Sequence, residues 1–211
     1  TASQTFTWLI NDAPLAAQGA AVSAVEGTDT GSVTVATFTT PDLNYQAGDF
    51  TATVNWGDGS SSDNASVSGQ NGSFTVTDNH VYAEKGSYPF SVTITDVNGT
   101  SVTASSTATV SDAALTLTGG FQLGDAMTSP PANFTLASFT DANPNAPQSD
   151  YAVSINWGDG TTSTGTTNIQ SAGNGTYLIV APHSYANPYP NVGPVTYTVT
   201  VTLTDADGAS Q

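Results

Sequence analysis

Short stretches of the chain alternate apolar and polar residues, and a two-residue period is typical of a β-strand with one buried face. Nine such stretches stand out, five in the first half of the chain and four in the second. They are Ser32–Thr39, Phe50–Trp56, Gly72–Thr77, Ser87–Thr95, Val102–Val110, Asn133–Phe139, Tyr151–Trp157, Gly175–Val180 and Val195–Thr204. Turn sequences such as Gly-Asp-Gly, Asn-Gly and Asp-Gly lie between them. No segment has a convincing helical period, so the pattern predicts an all-β fold.

An internal repeat organises the chain. The sequence TVNWGDGS at Thr53–Ser60 returns as SINWGDGT at Ser154–Thr161, 101 residues later. The motif His-x-Tyr also occurs twice, beginning at His80 and at His183. About seven strands in roughly 100 residues is typical of an immunoglobulin-like sandwich. We therefore expect two tandem immunoglobulin-like β-sandwiches, one in each repeat.

Three motifs together resemble the PKD-type immunoglobulin-like repeat of bacterial extracellular and surface proteins. They are Trp-Gly-Asp-Gly at Trp56 and Trp157, His-x-Tyr, and Gly-x-Tyr-x-x-x-Val-x-Ile-x-Asp from Gly86 to Asp96. The resemblance covers nearly the whole chain. It implies a β-sandwich in each repeat and a role as a spacer, or as an adhesive or matrix-forming part, of an extracellular protein. It does not imply one particular ligand, since one fold hosts many functions.

Alignment of the repeats divides the chain into residues 1–12, a first repeat at 13–112 and a second repeat at 113–211. Residues 1–12 align with Ser101–Asp112, the last strand of the first repeat. The second repeat reaches Gln211 at the position where its own last strand should begin. We therefore expect an N-terminal strand without a sandwich of its own, and a second sandwich that lacks its last strand.

Phe6, Trp8 and Ile10 alternate along this N-terminal strand and give it one large apolar face. Leaving such side chains in water is costly, since burial of each contributes roughly 1.5–3 kcal/mol. An open sheet edge and a matching strand favour pairing between subunits. We therefore predict a head-to-tail homopolymer in which each subunit donates this strand to the next. The alternative is a fragment of a longer repeat array, whose ends carry no such meaning.

Charge excludes several classes of partner. The chain has 17 acidic residues, one Lys and no Arg, for a net charge of −16. Nucleic-acid binding needs clustered Lys and Arg, so it is excluded. No run of about 18 apolar residues is present, so no membrane insertion is expected. The single Lys, Lys85, lies in the sequence of a hairpin tip, and we therefore expect no Lys–Asn crosslink of the kind found in surface proteins.

Six aromatic or imidazole side chains are expected to be structural. They are Trp56, Trp157, His80, His183, Tyr82 and Tyr185. An exposed Trp would stack on sugar rings, but related sandwiches bury a Trp between their sheets. A His would act as a base in a Ser-His-Asp site. The two histidines occupy matching positions beside a Tyr, which indicates a shared structural role instead, so no enzyme activity is predicted.

Loop carboxylates are the candidate ligands for a metal ion, and oxygen ligands suit calcium. The candidates are Asp141, Asp150, Asp205 and Asp207. The first repeat has no matching set. We expect that no cofactor is required, and that any bound calcium stabilises the fold.

The sequence therefore predicts a non-enzymatic extracellular structural protein, a filament or surface-array subunit that assembles head-to-tail by strand donation. The alternative is a carbohydrate- or receptor-binding adhesive module of a larger secreted protein. An exposed aromatic cluster on one repeat only would favour the alternative. The candidates for that cluster are Tyr185, Tyr189 and Tyr197.

Overall fold

The computed structural model describes residues 3–6, 14–62, 64–119, 132–165, 168–185 and 195–206. The chain forms two compact units. The first comprises the described residues of Thr1–Val25, Asp29–Tyr82 and Gly86–Ser111, and the second those of Glu26–Thr28, Ala83–Lys85 and Asp112–Gln211. Both units are built from β-strands, so the predicted all-β fold is confirmed.

Helical structure is minimal. In the described ranges it includes two complete three-residue 3-10 turns, Ala47–Asp49 and Gln148–Asp150. Neither turn approaches the length or the apolar character that a membrane-crossing helix needs.

The first unit has nine described strands. They are β1 (Ala16–Gly19), β2 (Val22–Val25), β3 (Val33–Thr39), β4 (Phe50–Asn55), β5 (Ser61–Ser62), β6 (Ser66–Gln70), β7 (Ser73–Asp78), β8 (Gly86–Asp96) and β9 (Ser101–Ser111). They form two sheets, in the orders β1-β3-β7-β6 and β2-β9-β8-β4-β5. Neighbouring strands run antiparallel, except that β2 is parallel to β9.

Aromatic rings fill the core of the first unit. Phe38 stacks on Phe74 with ring centroids 5.0 Å apart, and Phe50 meets Phe38 edge-on at 4.8 Å. The indole of Trp56, 1% exposed, is among the largest fully buried side chains. These side chains come from both sheets, as the alternating sequence pattern predicts.

The second unit has seven described strands. They are β10 (Leu115–Gly119), β11 (Ala132–Asp141), β12 (Tyr151–Asn156), β13 (Thr162–Thr164), β14 (Ile169–Gly173), β15 (Thr176–His183) and β16 (Thr200–Asp205). Their sheets have the orders β10-β11-β15-β14 and β13-β12-β16. The core repeats the first unit, because Phe139 stacks on Tyr177 at 5.0 Å and meets Tyr151 edge-on at 4.9 Å.

All nine strands expected from the sequence overlap strands of the structure, but the prediction for Val195–Thr204 is wrong in its first half. Residues 195–199 belong to no strand, and β16 begins at Thr200. The matching residues of the first unit, 86–90, pair with β9 and not with β4. In the described part of the second unit no strand corresponds to β9, so residues 195–199 have no ladder to join.

Candidate functional site

Each unit carries one cluster of four side chains at its Trp-Gly-Asp-Gly turn, which we call the WGDG cluster. In the first unit it comprises Trp56, Asp58, His80 and Tyr82, and in the second Trp157, Asp159, His183 and Tyr185. Trp is the first residue after β4 or β12, and the Asp lies in the turn that leads to β5 or β13. The His follows β7 in the first unit and ends β15 in the second.

The turn itself requires glycine. Gly57 has a φ of 83°, and a Cβ there would lie 2.1 Å from the Pro89 carbonyl oxygen. Asp58 closes the turn, because its Oδ1 accepts hydrogen bonds from the Ser60 N–H at 2.9 Å and from the Ser60 hydroxyl at 2.5 Å. The second unit repeats this closure with Asp159. The turn residues therefore hold the carboxylate in a fixed place.

The histidine links the turn to the buried indole. In the first unit the His80 ring lies parallel to Trp56 with centroids 4.8 Å apart, and its Nε2 is 2.7 Å from Asp58 Oδ2. In the second unit the His183 ring lies 4.2 Å from that of Trp157, and Nε2 is 2.9 Å from the Asp159 carboxylate. Each imidazole thus bridges a surface turn and the core.

The tyrosine completes the cluster from the inside. The Tyr82 hydroxyl donates to the Trp56 carbonyl at 3.2 Å, and the Tyr185 hydroxyl donates to the Trp157 carbonyl at 3.0 Å. Burial raises the pKa of Tyr82 to about 12, with a smaller contribution from the charge of Asp58. Burial raises the pKa of Tyr185 as well. Both hydroxyls therefore remain donors at physiological pH.

The two carboxylates stay ionised. Burial opposes ionisation of Asp58, but hydrogen bonds from Ser60 and His80 outweigh it and lower the pKa. The hydroxyl of Thr161 is the main cause that lowers the pKa of Asp159 to about 2, and the Thr161 N–H and His183 act in the same direction. The carboxylates therefore serve as permanent hydrogen-bond acceptors.

The geometry of the cluster does not suit nucleophilic catalysis. In a Ser-His-Asp site the nucleophile and the acid bind opposite nitrogens of the imidazole. Here the Ser60 hydroxyl, at 3.3 Å, and the Asp58 carboxylate both face Nε2 of His80. The Ser60 hydroxyl also donates to that carboxylate, so it is bound within the turn. The arrangement instead holds the turn against the buried indole of Trp56.

The WGDG cluster also offers no platform for a sugar ring. Trp56 is 1% exposed and Trp157 is 0% exposed, so neither indole face reaches solvent. Tyr185 is buried and stacks on Tyr197 at 4.6 Å. The first unit has the same stack, with Tyr82 as one partner. This aromatic pair therefore belongs to both repeats, while Tyr189, the third candidate, lies outside the described residues.

The candidate calcium ligands have other tasks. Asp141 is buried, and its carboxylate accepts hydrogen bonds from the Tyr151 hydroxyl and the Asn143 N–H, both at 2.6 Å. Asp150 ends a 3-10 turn, and Asp205 ends β16 as a buried residue.

Among the His, Asp and Glu side chains that the structure describes, no group of three or more is arranged to hold a metal ion. Asp207 lies outside the described residues. Calcium binding therefore stays a prediction without a placed site.

The outer edge of β16 differs from the matching edge of the first unit in the described part of the chain. In the three-stranded sheet β13-β12-β16, β16 is the outermost described strand. In the first unit β9 covers the matching edge of β8. Of the three residues expected to form the donor face, Phe6 is 71% exposed, and Trp8 and Ile10 lie outside the described residues.

The sequence analysis did not predict one group of interacting side chains. Glu26 is 3% exposed, and its carboxylate accepts hydrogen bonds from the N–H groups of Lys85 and Ala113. The Nζ of Lys85 lies 3.7 Å from the Asp112 carboxylate. These residues are far apart in the chain, and the one available signal was that Lys85 is the only Lys or Arg.

No protein-family model and no curated protein matches the chain. Similar solved structures include the PKD domain of an M14-like peptidase from Thermoplasmatales archaeon SCGC AB-540-F20, with 23% identity and a TM-score of 0.34 over 48% of this chain and 98% of that one. A tetra-tandem repeat in the extending region of a large adhesion protein has 17% identity and a TM-score of 0.45, over 94% of this chain and 47% of that one.

A third similar structure is SGBP-B of the Bacteroides ovatus mixed-linkage glucan utilization locus, in complex with a mixed-linkage heptasaccharide. It has 18% identity and a TM-score of 0.28, over 90% of this chain and 40% of that one. The chain therefore spans less than half of the adhesion-protein and SGBP-B structures. The likeness concerns the fold, and in its fold this chain is similar to PKD-type immunoglobulin-like repeats.

Proposed function

We propose that the protein is a non-catalytic structural module of an extracellular array, and that its second sandwich is completed by a strand donated by another copy. The observation that carries this proposal is the outer edge of β16, which no other described strand covers. The absence of a catalytic geometry in the WGDG clusters and the strongly acidic composition support a structural role. The proposal makes the second sandwich an acceptor and residues 1–12 the donor.

The first unit indicates what a completed edge looks like. Every residue from Gly86 to Thr95 in β8 pairs with β9, and β2 covers the far side of β9. Ala104, Ala108 and Val110 of β9 are buried against the core. A strand in this place therefore closes the core and continues the backbone ladder.

The second unit leaves the matching positions partly uncovered. Val92 is 0% exposed and Phe90 is 2% exposed in the first unit. Their counterparts, Val201 and Val199, are only half-buried. The half-buried valines and the outer edge of β16, which pairs with β12 and with no other described strand, favour the addition of a strand.

The N-terminal residues fit this place by sequence. In the repeat alignment Phe6, Trp8 and Ile10 take the positions of Ser106, Ala108 and Val110 in β9. Those three positions point inward, since Ala108 and Val110 are buried and Ser106 is half-buried. The donor would therefore present its three large apolar side chains to the incomplete core. Because each copy would donate one strand and accept another, the contact would propagate head to tail.

Removal and resupply of the donor tests the proposal. The untagged protein should sediment as polymers, and a variant that lacks residues 1–12 should be monomeric. A synthetic peptide of residues 1–12 should then bind this variant and raise its melting temperature. The matched control is the same peptide with Trp8→Asp, which keeps the length but places a charge in the core. A monomeric intact protein, or equal binding of the two peptides, would contradict strand donation.

A further inference from the structure

The only Lys or Arg side chain of the protein lies beside the carboxylate of Asp112. Lys85 is the sole Lys in 211 residues, and there is no Arg. Its Nζ lies 3.7 Å from Oδ2 of Asp112, and the two side chains are 31% and 21% exposed. The sequence suggested a free hairpin tip for Lys85. The structure instead places it directly before β8, beside the residue that follows β9.

Glu26 is fixed against both of these residues. It is 3% exposed. Its Oε2 accepts a hydrogen bond from the backbone N–H of Lys85 at 2.6 Å, and its Oε1 accepts one from the N–H of Ala113 at 3.1 Å. The buried carboxyl therefore bridges Lys85 and the neighbour of Asp112. All of these residues belong to the second compact unit.

The carboxyl groups of Glu26 and Asp112 are neighbours. Glu26 and Asp112 are within hydrogen-bond reach of each other. Oδ1 of Asp112 is buried and has no hydrogen-bond donor among the described residues. Two ionised carboxylates cannot form a hydrogen bond, whereas a protonated Glu26 supplies the missing donor. Burial raises the pKa of Glu26 to about 7, against the effect of its two backbone hydrogen bonds.

Amide formation within a protein requires an amine, a carboxyl group next to it, and a group that can carry a proton between them. Lys85, Asp112 and Glu26 are such a set. We infer that Lys85 and Asp112 become joined by an isopeptide bond, with Glu26 as the group that carries the proton. The ordinary alternative is an ion pair at the surface, which contributes little.

The reaction balances without a further reactant. The ammonium of Lys85 first gives a proton to the Asp112 carboxylate, leaving a neutral amine and a carboxylic acid. The lone pair of Nζ attacks Cγ of Asp112 and forms the N–C bond. Glu26 donates its proton to the departing oxygen and takes one from the nitrogen. The C–O bond breaks, one water molecule leaves, and Glu26 ends in its starting state.

The product would tie together the two ends of the β8–β9 hairpin. Gly86 pairs with Val110 in the last rung of that ladder, and Lys85 and Asp112 lie just beyond it. A bond there closes residues 86–111 into a covalent loop, which restricts the unfolded chain as a disulfide does. The hairpin could then no longer separate from this end.

Intact-mass measurement and peptide mapping test the inference on the full-length protein after prolonged incubation at neutral pH. We expect a mass lower than that of the sequence by one water, and a branched peptide that joins Lys85 to Asp112. Succinimide formation at an Asp-Gly sequence also removes water, so the branched peptide decides the matter. Because the chain has one ε-amine, amine acetylation of the denatured protein should leave Lys85 unlabelled.

Three variants provide controls, with circular dichroism to show that each is folded. Lys85→Arg keeps the charge but cannot form the bond, so it should retain the full mass. Asp112→Ala should retain the full mass and leave Lys85 open to acetylation. Glu26→Gln keeps the shape and an acceptor oxygen but carries no transferable proton, and it should abolish the bond. The inference is wrong if the intact protein has the full mass of its sequence and Lys85 is fully acetylated. The role of Glu26 is wrong if the bond forms at an unchanged rate in folded Glu26→Gln.

Discussion

Truncation of the same valine in the two units should have unequal costs. Val92 in β8 is 0% exposed, and its counterpart Val201 in β16 is half-buried. Val→Ala removes the equivalent of two CH2 groups from the side chain, and burial of each contributes about 0.8 kcal/mol. Val92→Ala should therefore lower the free energy of unfolding by at least about 1.6 kcal/mol before any cavity contribution. Val201→Ala should cost about half as much, because part of that side chain is already in contact with water.

Hydrogen exchange read by mass spectrometry suits this comparison, because peptides from β4 and β12 report on each unit separately. A single midpoint of a two-unit protein does not define one free energy. The variants are compared first in protein that lacks residues 1–12, and then in the assembled protein. On assembly the cost of Val201→Ala should rise to that of Val92→Ala, because the donated strand would cover the site. Equal costs in the shortened protein would refute the reasoning from the uncovered edge.

Three further predictions concern the second unit. Trp157→Ala should cost about 3–5 kcal/mol as a large-to-small core change, measured by exchange of β12 amides; a cost under about 1 kcal/mol would mean that the indole is not a core side chain. Acidification should lower the melting temperature, because the folded-state pKa of Asp159 is about 2 against 3.8 in the unfolded chain, so its contribution is present above pH 3.8 and is lost as the pH falls through 2. Asp159→Asn should flatten this fall, and an unchanged acid profile in that variant would contradict the assigned role. Millimolar calcium should raise the melting temperature relative to EDTA if the loop carboxylates bind it, and identical midpoints would remove calcium from the account.

Local pattern was enough to predict most of the strands, because alternation reports directly which face of a strand is buried. It was not enough for Val195–Thr204. Alternation continues through residues 195–199, but a strand also needs a neighbour for its ladder, and a sequence pattern does not reveal the neighbour. The parallel pairing of β2 with β9 was missed for the same reason. In addition, β2 is only four residues long, which is too short for a clear alternation.

The repeat made the members of the WGDG cluster recognisable, since two copies of a motif at one spacing point to a shared task. Glu26, Lys85 and Asp112 offered no such signal. They occur once, far apart in the chain, and only the folded loops bring them together. For the calcium candidates the sequence did not indicate that Asp141 is buried and accepts a hydrogen bond from the Tyr151 hydroxyl.

Disulfide trapping between two engineered cysteines tests the central claim, strand donation, most directly, because the chain has no Cys of its own. In the first unit Thr93 of β8 pairs with Thr103 of β9, and their hydroxyl oxygens are 3.2 Å apart. The repeat alignment makes Thr202 and Ser3 the corresponding pair for a donated strand.

A protein with Ser3→Cys is mixed with a second protein that carries Thr202→Cys, and the mixture is then oxidised. The control for register replaces the second protein with one that carries Val201→Cys, on the opposite face of β16. Strand donation predicts a disulfide-linked dimer of the first two proteins that the control does not form. No linked dimer, or equal linking with the control, would contradict it.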